Sequence, residues 1–167
     1  MNRSIIAIAA ALLVITSCGT TRMTSEEKKR QETLIANAVW AKLDTRSYEI
    51  DVDYMSPLRG GGRSVTFGYN VKVDGDNIKS YLPYVGEARS VPYGGGSGLN
   101  FEDTIDDYQD SGLKKGRRNI TITTTTDEDT FVFNITVYDN TKADIRVHSR
   151  NRDDISYIGY LKLKDGE

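Results

Sequence analysis

From Tyr48 onward the chain alternates. Tyr48, Ile50, Val52 and Tyr54 are separated by Glu49, Asp51 and Asp53. The same period of two recurs at Val65, Phe67, Tyr69, Val71 and Val73, then at Phe131, Phe133, Ile135 and Val137. It returns at Ala143, Ile145 and Val147, and at Ile155, Tyr157, Leu161 and Leu163 with Gly159 on the same face. Ile120 and Ile122 lead a threonine run to Thr126. Successive side chains of a strand point to opposite faces, so each segment reads as a half-buried strand with one wet face. A parallel sheet, covered on both sides, would be apolar throughout. The links are short and polar: Asp74-Gly75, Asp127-Glu128, Asp139-Asn140-Thr141 and residues 151–153. Short links join antiparallel neighbours.

Before the alternation the period is 3.6. Thr24-Ser25-Glu26-Glu27 fits a capping box, with Thr24 as N-cap and Glu27 three residues on. Leu34, Ile35, Ala38, Val39 and Leu43 then fall on one helical stripe, with Trp40 beside it as a half-buried packing residue. The fold expected is α+β: an N-terminal amphipathic helix packed on a mostly antiparallel β-sheet meander, in a single domain over residues 25–167. No repeat of fixed period and no second domain is legible.

The first residues carry a different message. Arg3 precedes an unbroken apolar run, IIAIAAALLVI, that ends in Ile15-Thr16-Ser17-Cys18. The run has the length of a signal-peptide core and falls short of the ~20 residues of a membrane-spanning helix. An aliphatic residue, two small residues and a cysteine resemble the lipobox of bacterial lipoproteins. That resemblance implies cleavage before Cys18, acylation of its thiol and of the new amino terminus, and a palmitate-type anchor. Residues 1–17 then form the signal peptide and 18–24 a lipidated tether. Gly19 and the absence of an acidic run after Cys18 point to an outer-membrane anchor with the domain facing the periplasm rather than the cell surface.

Charge and cysteine narrow the chemistry. With 22 basic and 24 acidic side chains the chain is near neutral, which argues against nucleic acid as a partner. Cys18 is the only cysteine. Once it is acylated, no thiol remains for a disulfide, a metal or a nucleophile. His148 is the only histidine and alternates onto the wetter face of its strand, so it reads as a surface residue. No metal site and no cofactor is expected.

Residues 81–101, YLPYVGEARSVPYGGGSGLNF, are the candidate site. Gly94-Gly95-Gly96-Ser97-Gly98 lacks the lysine of a Walker loop, and Leu99 breaks a G-x-S-x-G elbow. Glu102, Asp103, Asp106, Asp107 and Asp110 follow and would repel a phosphate. Two readings stay open. Tyr81, Tyr84 and Tyr93, with Gly94, Gly95 and Gly96 at the bend, form an exposed lip that captures a glycan or a peptide; or the stretch is a connection whose tyrosines pack back on the sheet. The acids further on, Asp103 to Asp110, match no EF-hand spacing. With Lys114-Lys115-Gly116-Arg117-Arg118 they read as the two arms of a solvated hairpin turning at Ser111-Gly112.

Several segments together resemble a known family. They are Tyr54-Met55-Ser56-Pro57-Leu58-Arg59-Gly60, Tyr81-Leu82-Pro83-Tyr84 with Gly86, and Pro92-Tyr93-Gly94-Gly95-Gly96 through Phe101. Glu128-Asp129-Thr130-Phe131 and Asn151-Arg152 to Tyr157 complete the set. Across residues 33–161 these resemble the domain-of-unknown-function 4251 family, small lipoproteins of Gram-negative anaerobes. The resemblance implies a shared fold and an envelope location, and it brings no catalytic residues. The chain therefore reads as a membrane-anchored binding or scaffolding module of the cell envelope rather than an enzyme. The alternative is a carboxylate-based glycan hydrolase.

Overall fold

The computed structural model describes residues 23–66, 68–87 and 98–164. The expected signal peptide and Cys18 lie outside the described residues, as do Tyr93, Gly94, Gly95 and Gly96.

Helix α1 spans Ser25–Asp44. Its capping box forms as expected. The Glu27 amide donates to Thr24 Oγ1 at 3.2 Å and the Thr24 amide to Glu27 Oε2 at 2.8 Å, satisfying two donors the helix start leaves over. The stripe is only half used. Val39 and Leu43 are buried and Ile35 and Trp40 pack partly against the core, but Leu34 is 62% exposed and Ala38 also faces solvent. The helix docks through its last turns and does not cover the sheet.

It has little to cover, because the sheet covers itself. Ten strands follow: β1 (Ser47–Pro57), β2 (Arg63–Ser64), β3 (Asn70–Asp74), β4 (Asn77–Pro83), β5 (Gly98–Thr104), β6 (Asp107–Lys114), β7 (Arg117–Thr125), β8 (Thr130–Tyr138), β9 (Lys142–Ser149) and β10 (Ile155–Leu161). Their order is β5-β4-β3-β1-β10-β9-β8-β7-β6, every pair antiparallel, with β2 beside β1 off this path. The antiparallel sheet is therefore as expected, and its meander runs in two pieces joined where β1 pairs with β10. The edge strands β5 and β6 are consecutive in sequence, separated only by Ile105 and Asp106. A flat sheet of this width could not bring its two edges together across so short a link, so the sheet curls into a half-barrel, in the sense strand twist favours. Thr124 Oγ1 donates to the Thr104 carbonyl at 2.8 Å, tying β7 to β5. Across the interior the Phe101 ring stacks on Phe131 at 4.9 Å and meets Phe133 edge-on at 6.1 Å.

The concave interior is the core. Phe131, Phe133, Ile135 and Val137 of β8, Ala143, Ile145 and Val147 of β9, and Ile155, Tyr157 and Leu161 of β10 are all buried, as their alternation predicts. Three sequence expectations change. In β1 the register shifts between Val52 and Tyr54, so Asp53 is an extra residue. This bulge reverses the parity: Met55 is buried and Tyr54 is only half-buried. The strand read over residues 65–73 begins only at Asn70, because Gly68 adopts φ +103° and breaks the run. Thr124, in the threonine run after Ile122, continues the buried face of Ile120 and Ile122. Ser111-Gly112 is a bulge within β6, and the chain reverses at Lys115-Gly116, both with positive φ, as a two-residue hairpin loop requires.

The acid–base hairpin is also less solvated than its composition implies. Arg118 pairs with Asp110, and their side chains are 13% and 17% exposed. The same guanidinium reaches Asp44 and the Trp40 carbonyl, so it clamps the C-terminal end of α1 to the β6–β7 hairpin.

Candidate functional site

Tyr84 belongs to the fold rather than to a free lip. Its half-buried phenol is shared between the carbonyls of Glu87 at 3.1 Å and Asp153 at 3.2 Å. The Arg152 guanidinium lies over its ring, 5.5 Å from the centroid. Arg152, with a side chain 6% exposed, also donates to the Gly98 carbonyl and to Glu128 Oε2, each at 3.2 Å. Beside it the Tyr157 hydroxyl donates to the Pro83 carbonyl at 2.7 Å, and burial pushes that phenol well above the ordinary tyrosine range. Backbone and side-chain bonds between Glu87 and Asp153 complete the knot. These contacts tie the Tyr84 phenol and Glu87 to Arg152 and Asp153, while Val85, Gly86 and Glu87 are exposed. Tyr84→Phe is expected to cost about 1 kcal/mol, the worth of a hydrogen bond lost without a cavity. Denaturant titration against the unaltered protein measures it, and an unchanged midpoint would show that the phenol contributes nothing.

Tyr81 behaves differently. It lies on β4 opposite Asn70 of β3, with its side chain on the outer face, 47% exposed. Its ring stacks on Tyr69 at 5.2 Å and 25°. Tyr69 in turn forms a wall of a groove of about 600 Å³, within the range of small-molecule sites. The sequence did not predict this groove. Its floor is the β1 bulge, with Asp51 and Asp53, and its other walls are Val65, Tyr160 and Lys162. It exists because β1 changes partners. Residues 47–51 pair with β3, Tyr54 and Met55 pair with β2, and between them the chain stands off around Gly68. Lone bonds from the Val52 amide to Tyr69 and from the Val65 amide to Asp53 hold that wall in place.

The groove is chemically mixed. Tyr160 is 49% exposed and offers its ring to solvent. Lys162 Nζ lies 2.6 Å from Glu49 Oε1 and 3.1 Å from Asp51 Oδ1, and these contacts hold the ammonium above its ordinary range. Asn70 Nδ2 donates to Glu49 at 3.2 Å. The outward position of Asp51, Asp53 and Tyr160 was legible from strand parity. The concavity was not, because it needs the bulge and the break at Gly68.

The other candidates disperse. The Asp103 carboxylate caps the Thr104 amide, Asp107 accepts from Gln109 and Asp110 is held by Arg118, so the acidic run does not converge. Glu102 sits on Lys79 at 2.7 Å, and that hydrogen bond lowers its pKa. His148 Nδ1 pairs with Asp154 at 2.7 Å at the surface.

Comparison with known proteins agrees with this architecture. A family model described as Domain of unknown function (DUF4251) matches residues 26–161. The crystal structure of a DUF4251 family protein from Bacteroides eggerthii DSM 20697 superposes with a TM-score of 0.62 at 16% identity, over 80% of this chain and 90% of that one. At that identity the likeness is one of fold. No curated protein matches the sequence.

Proposed function

This chain belongs to the DUF4251 family, a membership that carries a fold and names no chemistry, and from that premise we propose that it is a lipid-anchored binding module of the cell envelope whose ligand surface is the tyrosine groove on the outer face of the sheet. The observation that carries the reading is the groove itself, with an exposed ring, Tyr160, standing beside carboxylates that face solvent. An aromatic face packs on the apolar face of a sugar ring, and carboxylate and amide oxygens accept from its hydroxyls. A saccharide suits this site better than a peptide. Peptide capture by strand addition needs an unpaired edge, and β1, β3 and β10 are each paired on both sides. Hydrolysis is less well supported. A glycosidase acid works from a desolvated carboxyl, and here Asp51 is 49% exposed and Asp53 is exposed.

Tyr160→Ala is expected to abolish saccharide binding while moving Tm by no more than about 3 °C, since the ring is at the surface. Glycan and peptide arrays paired with melting curves test it. Unchanged glycan binding by the variant, or binding of peptides alone, would sink the proposal.

The anchor is part of the same reading. Ile15-Thr16-Ser17-Cys18 supports lipidation at Cys18, cleavage after Ser17 and retention at the outer membrane facing the periplasm. Among the described residues no helix is long and apolar enough to cross a membrane. Cys18→Ser is expected to yield a chain that takes up no fatty-acid label and leaves the membrane fraction. Undiminished labelling would remove the anchor from the proposal.

A further inference from the structure

Among the described residues, the charged side chains that line the tyrosine groove are Asp51, Asp53 and Lys162. Two of them are committed to one another. Lys162 Nζ is shared between Asp51 Oδ1 at 3.1 Å and Glu49 Oε1 at 2.6 Å. One ammonium there answers two carboxylates and has little left for an anionic ligand. Asp53 differs. It is the extra residue of the β1 bulge and is exposed. Its backbone carbonyl accepts from the Val65 amide. Among the described residues its carboxylate has no hydrogen-bond or ion-pair partner.

The ring across the groove is equally unclaimed. Tyr160 stands opposite Asp51 in the β1–β10 register. Other tyrosine rings carry cations of the chain itself: Arg46 lies 4.3 Å from the centroid of Tyr108, Arg152 5.5 Å from that of Tyr84 and Lys142 5.9 Å from that of Tyr138. Among the described residues no cation lies over Tyr160, which is 49% exposed. Lys162 follows two residues on, but its ammonium is held at Glu49 and Asp51. A carboxylate and the negative face of an aromatic ring attract the same partner, a cation. An exposed carboxylate alone is ordinary solvated surface. Asp53 is set apart because it lines a concavity of about 600 Å³ together with an unclaimed ring.

We infer that the groove selects for positive charge, so that its ligand class is an amino sugar whose ring lies against Tyr160 and whose ammonium group pairs with Asp53. The inference rests on the groove being a saccharide site, and it names Asp53 as the residue that sets which saccharide is preferred. Neutral sugars bind more weakly, and sugars that carry a carboxylate are disfavoured by the same charge.

The test is calorimetric titration of the full chain in non-ionic detergent at low salt and about pH 6, where aliphatic amines are protonated. The probes are glucosamine, glucose, N-acetylglucosamine and methylamine. Glucosamine is expected to bind about fivefold or more tighter than glucose or N-acetylglucosamine, which have the same ring without the charge. Added salt should shrink that ratio toward one. Asp53→Asn should do the same at low salt, and should leave Tm within about 3 °C because its side chain is exposed. Equal affinities for glucosamine and the neutral sugars, or a preference that survives Asp53→Asn, overturn the inference alone; the groove reading then stands or falls separately on glucose and Tyr160→Ala. Binding of none of the sugars overturns both. Methylamine binding as tight as that of glucosamine, and indifferent to Tyr160→Ala, overturns the amino-sugar assignment in favour of a bare cation.

Discussion

Phe133→Ala is expected to destabilise the protein by about 3–5 kcal/mol, the range for truncating a large buried aromatic side chain. The residue is 0% exposed at the middle of β8, between Ile122 of β7 and Val147 of β9. Its ring also meets Phe101 from the far edge strand. The side chains around it come from both halves of the curled sheet, so they cannot collapse inward without moving a paired strand. Thr136→Ala on the same strand removes only a half-buried hydroxyl that donates to Asn119, and should cost less than about 1 kcal/mol. Thr124→Ala belongs between them, at about 1–2 kcal/mol, because its hydroxyl is the buried donor to the Thr104 carbonyl. Denaturant titration with a common m-value ranks the three. Equal, small losses at Phe133 and Thr136 would mean that the facing of β8 is wrong.

Gly159→Ala is expected to cost at least about 3 kcal/mol, at the upper end of overpacking, although it adds one methyl group. A Cβ at this position would overlap the carbonyl oxygen of Asp51 and lie 2.9 Å from its carbonyl carbon. Those atoms are backbone of the neighbouring central strand, so no side-chain rotation relieves the contact. The strand pair must part where Gly159 faces Val52, next to the bulge. Because Asp51 and Asp53 line the groove from that same stretch, the variant should also lose saccharide binding. Gly61→Ala is the control. Nothing lies within 4 Å of its added Cβ and its φ is not positive, so a change of no more than about 0.5 kcal/mol is expected. Equal midpoints for the two variants would show that β1 can yield at the bulge.

The facing of β8, β9 and β10 was legible because alternation is a local property. Every second residue from Phe131 to Val137 and from Ala143 to Val147 is apolar, and burial follows that pattern without exception. The capping box was equally legible, since its two hydrogen bonds span three residues. The edge region was not. β6 carries few apolar side chains, with Tyr108 half-buried and Leu113 exposed, because an edge strand of a half-barrel packs little of its inner face. Tyr81 and Tyr84 looked alike in sequence. One stacks on Tyr69 at the outer face, and the other is bonded into a loop that only Asp153, far along the chain, completes.

The sequence by itself determined the antiparallel strands, the face that β8, β9 and β10 bury, the start of the helix and the expectation of a lipid anchor, because each depends on residues a few positions apart. Tertiary structure decided three further things. Pairing β1 with β10 placed the last strand beside the first and brought Tyr160 and Lys162 next to Asp51. Curling joined β5 to β7 through Thr104 and Thr124 and left α1 only its last turns to bury. The bulge at Asp53, made possible by the absence of a side chain at Gly159, opened the groove. All three depend on contacts between residues from 20 to about a hundred positions apart, or on one extra residue in a register. A periodic pattern records neither, because slipping or re-pairing a strand leaves its own alternation unchanged.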